Sequence, residues 1–121
     1  MKVACGTDII EIERVKNSIE KYEQNFKDSL YTEREIEYCE GRKVQKYQHY
    51  AARFAAKEAI FKAISKVLSN EYSLKDFEII NDGNGKPEVY LKTPIDEIEN
   101  IDISISHCKE YAVAMVVVLF K

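Results

Sequence analysis

Residues 45–68 read QKYQHYAARFAAKEAIFKAISKVL. Neither glycine nor proline interrupts the stretch, and it is rich in strong helix formers. It predicts the longest helix of the chain. Its inner part, RFAAKEAIFKAI at 53–64, sets a problem, because an alanine-rich run carries Arg53, Lys57, Glu58 and Lys62. At about 100° per residue, Phe54, Ile60, Phe61, Ile64, Val67 and Leu68 share one broad apolar arc. Glu58, Lys62 and Ser65 sit together on its flank, whereas Arg53 and Lys57 fall inside it. A charge inside such an arc is costly unless its head reaches water or a partner.

Outward from this helix, the chain divides into short elements. KVACGTDII at 2–10 is rich in β-branched and small residues and predicts a strand, with Gly6 a bulge or a point of close approach. The stripe Ile12, Val15, Ile19, Tyr22 predicts a helix directly after it. Thr32 followed by Glu35 forms a capping-box signature for a short helix that Gly41 ends. LKDFEII at 74–80, the turn-forming NDGNGKP and EVYLK predict one hairpin. IDISISH at 101–107 alternates strictly, and with YAVAMVVVLF it predicts a second hairpin whose last strand is central and largely buried. The expectation is a single α+β domain over residues 1–121, with an antiparallel sheet and a long central helix.

Composition narrows the function classes. The chain has 121 residues, 45% of them apolar, 32% charged, with a net charge of −3. That balance fits a folded soluble domain and excludes a disordered one. The longest apolar run, AVAMVVVLF at 112–120, is too short to span a bilayer, and MKVACGTDII lacks a signal-peptide layout, so the expected place is the cytoplasm with no membrane partner. Cys5, Cys39 and Cys108 are widely spaced and suggest neither a disulfide framework nor a zinc site. The charge is unevenly placed: residues 1–41 carry −4, residues 42–66 carry +6 and residues 67–121 carry −5. The basic block is either a solvated helix face or a surface for phosphate or an acidic partner.

A carboxylate bordered by cations on one two-turn segment, as Glu58 is, has the makings of a magnesium-bridged phosphate site. The carboxylate holds the ion and the cations hold the anion. Magnesium prefers a second hard ligand. Asp8 is the outstanding candidate, because strands deplete aspartate and it stands alone in an otherwise apolar strand.

GTDIIEIERV, RFAAKEAIFKAI, NDGNGKPEVYL and SISH occur in an order and spacing that resembles the holo-acyl-carrier-protein synthase family, the small 4'-phosphopantetheinyl transferases, from residue 3 to residue 119. The resemblance implies a magnesium-dependent transfer of the phosphopantetheine arm of coenzyme A to a serine of an acyl carrier protein, releasing adenosine 3',5'-bisphosphate. It further implies a homotrimer with sites at subunit interfaces. Asp8 and Glu58 match the metal positions and, with Lys62 beside the pyrophosphate, the catalytic ones. Arg53 and His107 match positions lining the nucleotide and its phosphates. Phe54, Ser65, Lys86 and Pro87 fall near the nucleotide, and Arg14 matches a residue that meets the carrier protein.

The resemblance leaves two candidates for the serine proton, Glu58 and a metal-bound water. His49 has no matching role and reads as structural or exposed. Two departures stand out. SKVLSNEYS at 65–73 lacks the glycine of its relatives, and Thr7 replaces a common isoleucine on the strand face opposite Asp8. A rival reading makes the 42–66 block the face of a non-catalytic, oligomeric nucleotide- or RNA-binding protein. Against it, the chain has no overall basic surplus and no base-stacking motif, so no nucleic-acid partner is expected.

Overall fold

The computed structural model describes residues 1–121. Its elements in chain order are β1 (Lys2–Glu11), α1 (Ile12–Leu30), α2 (Glu33–Glu40), α3 (Lys46–Ile64), β2 (Phe77–Asn81), β3 (Pro87–Leu91), β4 (Ile98–His107) and β5 (Tyr111–Phe120). The fold is α+β, as the sequence pattern implies, but it holds two antiparallel sheets: three strands in the order β1-β5-β4, and the separate hairpin β2-β3. No helix is long and apolar enough to cross a membrane.

β5 is central because its alternation suits that place. Ala112, Ala114, Val116, Val118 and Phe120 are buried on one face, while Met115 and Val117 are exposed on the other. α3 lies across the buried face, and eleven of its 19 residues are buried. A helix buried nearly all round needs small residues where backbones meet. Ala55, Ala56, Ala59 and Ala63 supply them on one side, and Gly6 on the other. A Cβ built on Gly6 would lie 2.0 Å from the Ala59 carbonyl oxygen, so this strand position admits only glycine.

The predicted elements shift at their ends. α3 stops at Ile64 rather than Leu68, and Leu74–Asp76 is a 3₁₀ turn, so the strand predicted from 74 begins at Phe77. α1 buries Ile12, Val15 and Ile19 as the stripe requires. Tyr22, its fourth member, is 54% exposed, and the helix kinks at the next residue: Glu23 has φ 48° and ψ −124°. A non-glycine residue in that region costs on the order of 1–3 kcal/mol. α2 carries the capping box in full: Thr32 N–H donates to Glu35 Oε1 at 2.9 Å, and Glu35 N–H to Thr32 Oγ1 at 3.3 Å.

The charges inside the apolar arc belong to the scaffold. Lys57 is fully buried, and its ammonium donates to Glu35 Oε1 at 2.7 Å and to the carbonyls of Phe77 at 2.9 Å and Leu74 at 3.0 Å. Glu35, also fully buried, accepts from Ile79 N–H at 2.8 Å through Oε2. Burial pushes the Lys57 pKa down, and Glu35 opposes that shift. The pair therefore ties α2, α3 and β2 together with all three ammonium protons used. Arg53, 2% exposed, does the same one turn earlier: Nε donates to the Ile79 carbonyl at 3.1 Å and Nη2 to Asn81 Oδ1 at 3.0 Å.

Breaking one side of such a pair strands the other charge, which costs about 3–5 kcal/mol. Lys57→Met should lower the unfolding free energy in a urea titration by that order, and adding Glu35→Gln should recover part of it. A single variant as stable as the wild type would show that the pair does not brace the fold.

Candidate active site

β1 alternates so that Ala4, Gly6, Asp8 and Ile10 face α3, and Thr7 points the other way, as its place in the strand predicts. Because Gly6 admits the helix backbone, the turn of α3 that carries Glu58 comes down beside Asp8, two residues farther along the strand. Lys62 follows one helical turn after Glu58. Its ammonium donates to Asp8 Oδ1 at 3.0 Å and to the Thr7 carbonyl at 2.9 Å. The i, i+4 pair that the sequence allows between Glu58 and Lys62 is therefore not made. Glu58 has no hydrogen-bond partner, and its carboxyl pKa is raised, first by burial and then by the charge of Asp8, with Lys62 opposing.

A half-buried carboxylate without a donor, facing a second carboxylate from another element, has the chemistry of a divalent-cation site. Two acidic oxygen donors suit magnesium, which takes its remaining ligands from water and phosphate. No third histidine, cysteine or acidic residue joins them. A cavity of about 510 Å³ opens at this pair, with Arg14, Phe26, Phe54 and Tyr111 among its walls. Arg14 and Phe54 are thus brought to the two carboxylates. Phe26 and Tyr111 were not singled out from the sequence. Phe26 lies beyond the kink, where the helical stripe had lapsed, and Tyr111 reads there only as the start of a strand. Lys62 and Ser65 border a second hollow of about 290 Å³ with Phe61, Asn70 and Tyr72, the last two from the glycine-free loop.

Arg53, His107, Lys86 and Pro87 do not line the cavity of Asp8 and Glu58. They form a different grouping in the chain. The Arg53 and Arg42 guanidinium groups lie 4.3 and 4.4 Å from the centre of the Tyr38 ring. His49 packs edge-on against Tyr38 at 5.4 Å and against His107 at 6.3 Å. His49 is thus structural, and its pKa falls to about 4 through burial and then the charges of Arg53, Arg42 and His107. Asn81, which receives Arg53 Nη2, donates to the Gly85 carbonyl at 3.1 Å and so holds the turn that carries Lys86 and Pro87.

Two corrections follow for the basic block. Lys57 does not border Glu58 as a phosphate cation, because Glu35 and two carbonyls occupy it. With Arg53 also buried, the 42–66 segment is not a wholly solvated face, although Arg42, Lys43, Lys62 and Lys66 stay exposed.

A family model described as the 4'-phosphopantetheinyl transferase superfamily matches residues 4–116. A holo-(acyl-carrier-protein) synthase of Ruminiclostridium cellulolyticum is 44% identical, with 98% of this chain and 92% of that protein covered. One of Chloroherpeton thalassium is also 44% identical, covering 93% and 94%. Among solved structures, a holo-(acyl-carrier-protein) synthase of Bacillus anthracis in complex with CoA (3',5'-ADP) superposes with a TM-score of 0.80 at 39% identity, covering 95% of this chain and 94% of that one. The Helicobacter pylori synthase in complex with coenzyme A gives 0.84 at 29% identity, covering 95% and 99%. The chain belongs to the 4'-phosphopantetheinyl transferase superfamily, and within it to the holo-(acyl-carrier-protein) synthase family.

The raised Glu58 pKa has a consequence for stability. Between the unfolded-state value and the higher native one, the native protein binds more protons than the unfolded chain, so stability falls as pH rises through that window. Above it, the Glu58 charge is a net cost. In EDTA at neutral pH, Glu58→Gln should melt above the wild type, and the gap should close on acidification below the ordinary glutamate range. A lower melting temperature for Glu58→Gln at neutral pH would show that the carboxylate is stabilised, not strained, by its surroundings.

Proposed function

We propose that this chain moves the 4'-phosphopantetheine arm of coenzyme A onto a serine of an apo acyl carrier protein in the cytoplasm, with magnesium as cofactor, releasing adenosine 3',5'-bisphosphate. The observation that carries this reading is the pairing of Asp8 with an unpartnered Glu58 beside Lys62. Asp8 and Glu58 would hold magnesium, which supplies charge neutralisation at the pyrophosphate. Lys62, 55% exposed, presents its ammonium to the same oxygens. Transfer of this kind depends on positioning and electrostatics rather than on a covalent enzyme intermediate. The serine proton would pass to Glu58 or to a water in the cavity. Phe54 walls the cavity, and Arg14 at its edge meets the acidic carrier protein.

Asp8→Ala and Glu58→Ala should each abolish transfer of a fluorescent coenzyme A arm to apo carrier protein in magnesium, with the fold retained by circular dichroism. Transfer near the wild-type rate by either variant would remove that residue from the mechanism.

The second grouping supports a shared site. Arg53 Nη1 makes no hydrogen bond within the chain, and no buried side-chain nitrogen or oxygen lacks a partner, so this nitrogen reaches the surface. Arg53 and His107 would serve the nucleotide phosphates, His107 and the turn residues Lys86 and Pro87 would reach a neighbour's site, and Ser65 would lie near the nucleotide. The outer face of the three-stranded sheet supports self-association: Val3 is 62%, Ile9 64%, Met115 51% and Val117 36% exposed. Such an apolar face marks a contact surface. Light scattering at micromolar concentration should report three chains, and a fully active monomer would defeat both the trimer and the shared site.

A further inference from the structure

β1 is an edge strand, paired only with β5. Two ammonium groups lie along its free edge. Lys62 Nζ meets the Thr7 carbonyl at 2.9 Å, and Lys66 Nζ, from the turn just beyond α3, meets the Cys5 carbonyl at 2.9 Å. Carbonyls two residues apart on one strand edge are about 7 Å apart. The two lysines differ in what else they hold: Lys62 is also bound to Asp8, whereas Lys66 touches no carboxylate. The order along the edge is thus the Asp8–Glu58 pair, then Lys62, then Lys66. Lysines on a strand edge commonly guard it against further pairing. That role accounts for the cations but not for their alignment with the carboxylate pair, nor for the adjoining 290 Å³ hollow of Phe61, Ser65, Asn70 and Tyr72.

We propose that Lys66 is a phosphate-binding residue of the coenzyme A site, taking a phosphate group that lies beyond the one at Lys62. The inference rests on the transferase reading above. Coenzyme A carries a pyrophosphate and a 3'-phosphate on one nucleotide, a ligand with separated anionic centres. Two ammonium groups seated on carbonyls about 7 Å apart, the outer one without a counter-ion, match such a ligand. The hollow lined by Lys62 and Ser65 takes part of the nucleoside.

The test uses Lys66→Met, which keeps the stem, and Lys66→Arg, which keeps the charge. Transfer is measured with coenzyme A and with 3'-dephospho-coenzyme A, and binding of adenosine 3',5'-bisphosphate by calorimetry. Lys66→Met should raise the KM for coenzyme A roughly ten- to a hundredfold, as for one lost charged hydrogen bond, with kcat little changed and bisphosphate binding weakened in step. Lys66→Arg should stay near the wild type. A penalty that vanishes with 3'-dephospho-coenzyme A assigns Lys66 to the 3'-phosphate, and one that persists assigns it to the pyrophosphate. Unchanged KM and bisphosphate affinity in Lys66→Met, with a lower melting temperature or aggregation, would overturn the proposal in favour of an edge guard. If the wild type transfers nothing, the transferase reading fails by itself. Lys66 is then judged by calorimetry, where equal affinity of wild type and Lys66→Met, or no binding by either, overturns it.

Discussion

The structure depends on the contact between the backbone of β1 at Gly6 and the backbone of α3 at Ala59. A helix normally stands off a strand by the length of the side chains between them. Here the strand offers a hydrogen atom and the helix offers alanines, so the two main chains touch. That proximity does more than close a core. It brings a carboxylate from a strand and a carboxylate and an ammonium from a helix within reach of one another. A methyl group at position 6 would have to push the helix back, and the separation of Asp8 and Glu58 would grow with it.

The buried ions solve a different problem. The β2-β3 hairpin has no strand partner in the main sheet. A lone two-stranded ribbon is marginal in water. Hydrophobic packing of Phe77 and Ile79 anchors it, and Glu35, Lys57 and Arg53 fix its backbone by binding the Phe77 and Ile79 carbonyls and the Ile79 N–H. A salt bridge in the core is poor evidence for net stability. Its effect here is directional: charged groups with few acceptable partners hold the hairpin in one register against α3.

Most of the fold was legible because its signals are local. The capping box at Thr32 and Glu35, the period of Ile12, Val15 and Ile19, and the alternation of 101–107 each depend on a few neighbouring residues. Gly6 was legible as a bulge or a close approach; the unbroken β1–β5 register leaves the close approach, and what approached was not legible. The fate of Arg53 and Lys57 was not, since their partners at 35, 79 and 81 lie more than 15 residues away and sequence spacing carries no sign of them. The kink at Glu23 was hidden for another reason: a glutamate is a good helix former, and nothing in its neighbourhood announces a left-handed backbone. At the site, Asp8 stood out because strands deplete aspartate, and Glu58 because it is a lone carboxylate among cations. Phe26, Tyr111 and Lys66 did not, because aromatic and lysine side chains are unremarkable in an amphipathic chain.

The break at Glu23 divides α1 mechanically. The hydrogen-bond ladder that makes a helix behave as a stiff rod is interrupted between Arg14, on the half that follows β1, and Phe26, on the half that leads to α2. The first half is anchored by Ile12, Val15 and Ile19, the second by Lys27 on Glu40 and by Phe26 against Tyr31. Two walls of one cavity therefore sit on separately moored pieces, and a displacement at Phe26 is not levered back onto Arg14. The cavity can change its width on one side while the carboxylates and the arginine keep their spacing.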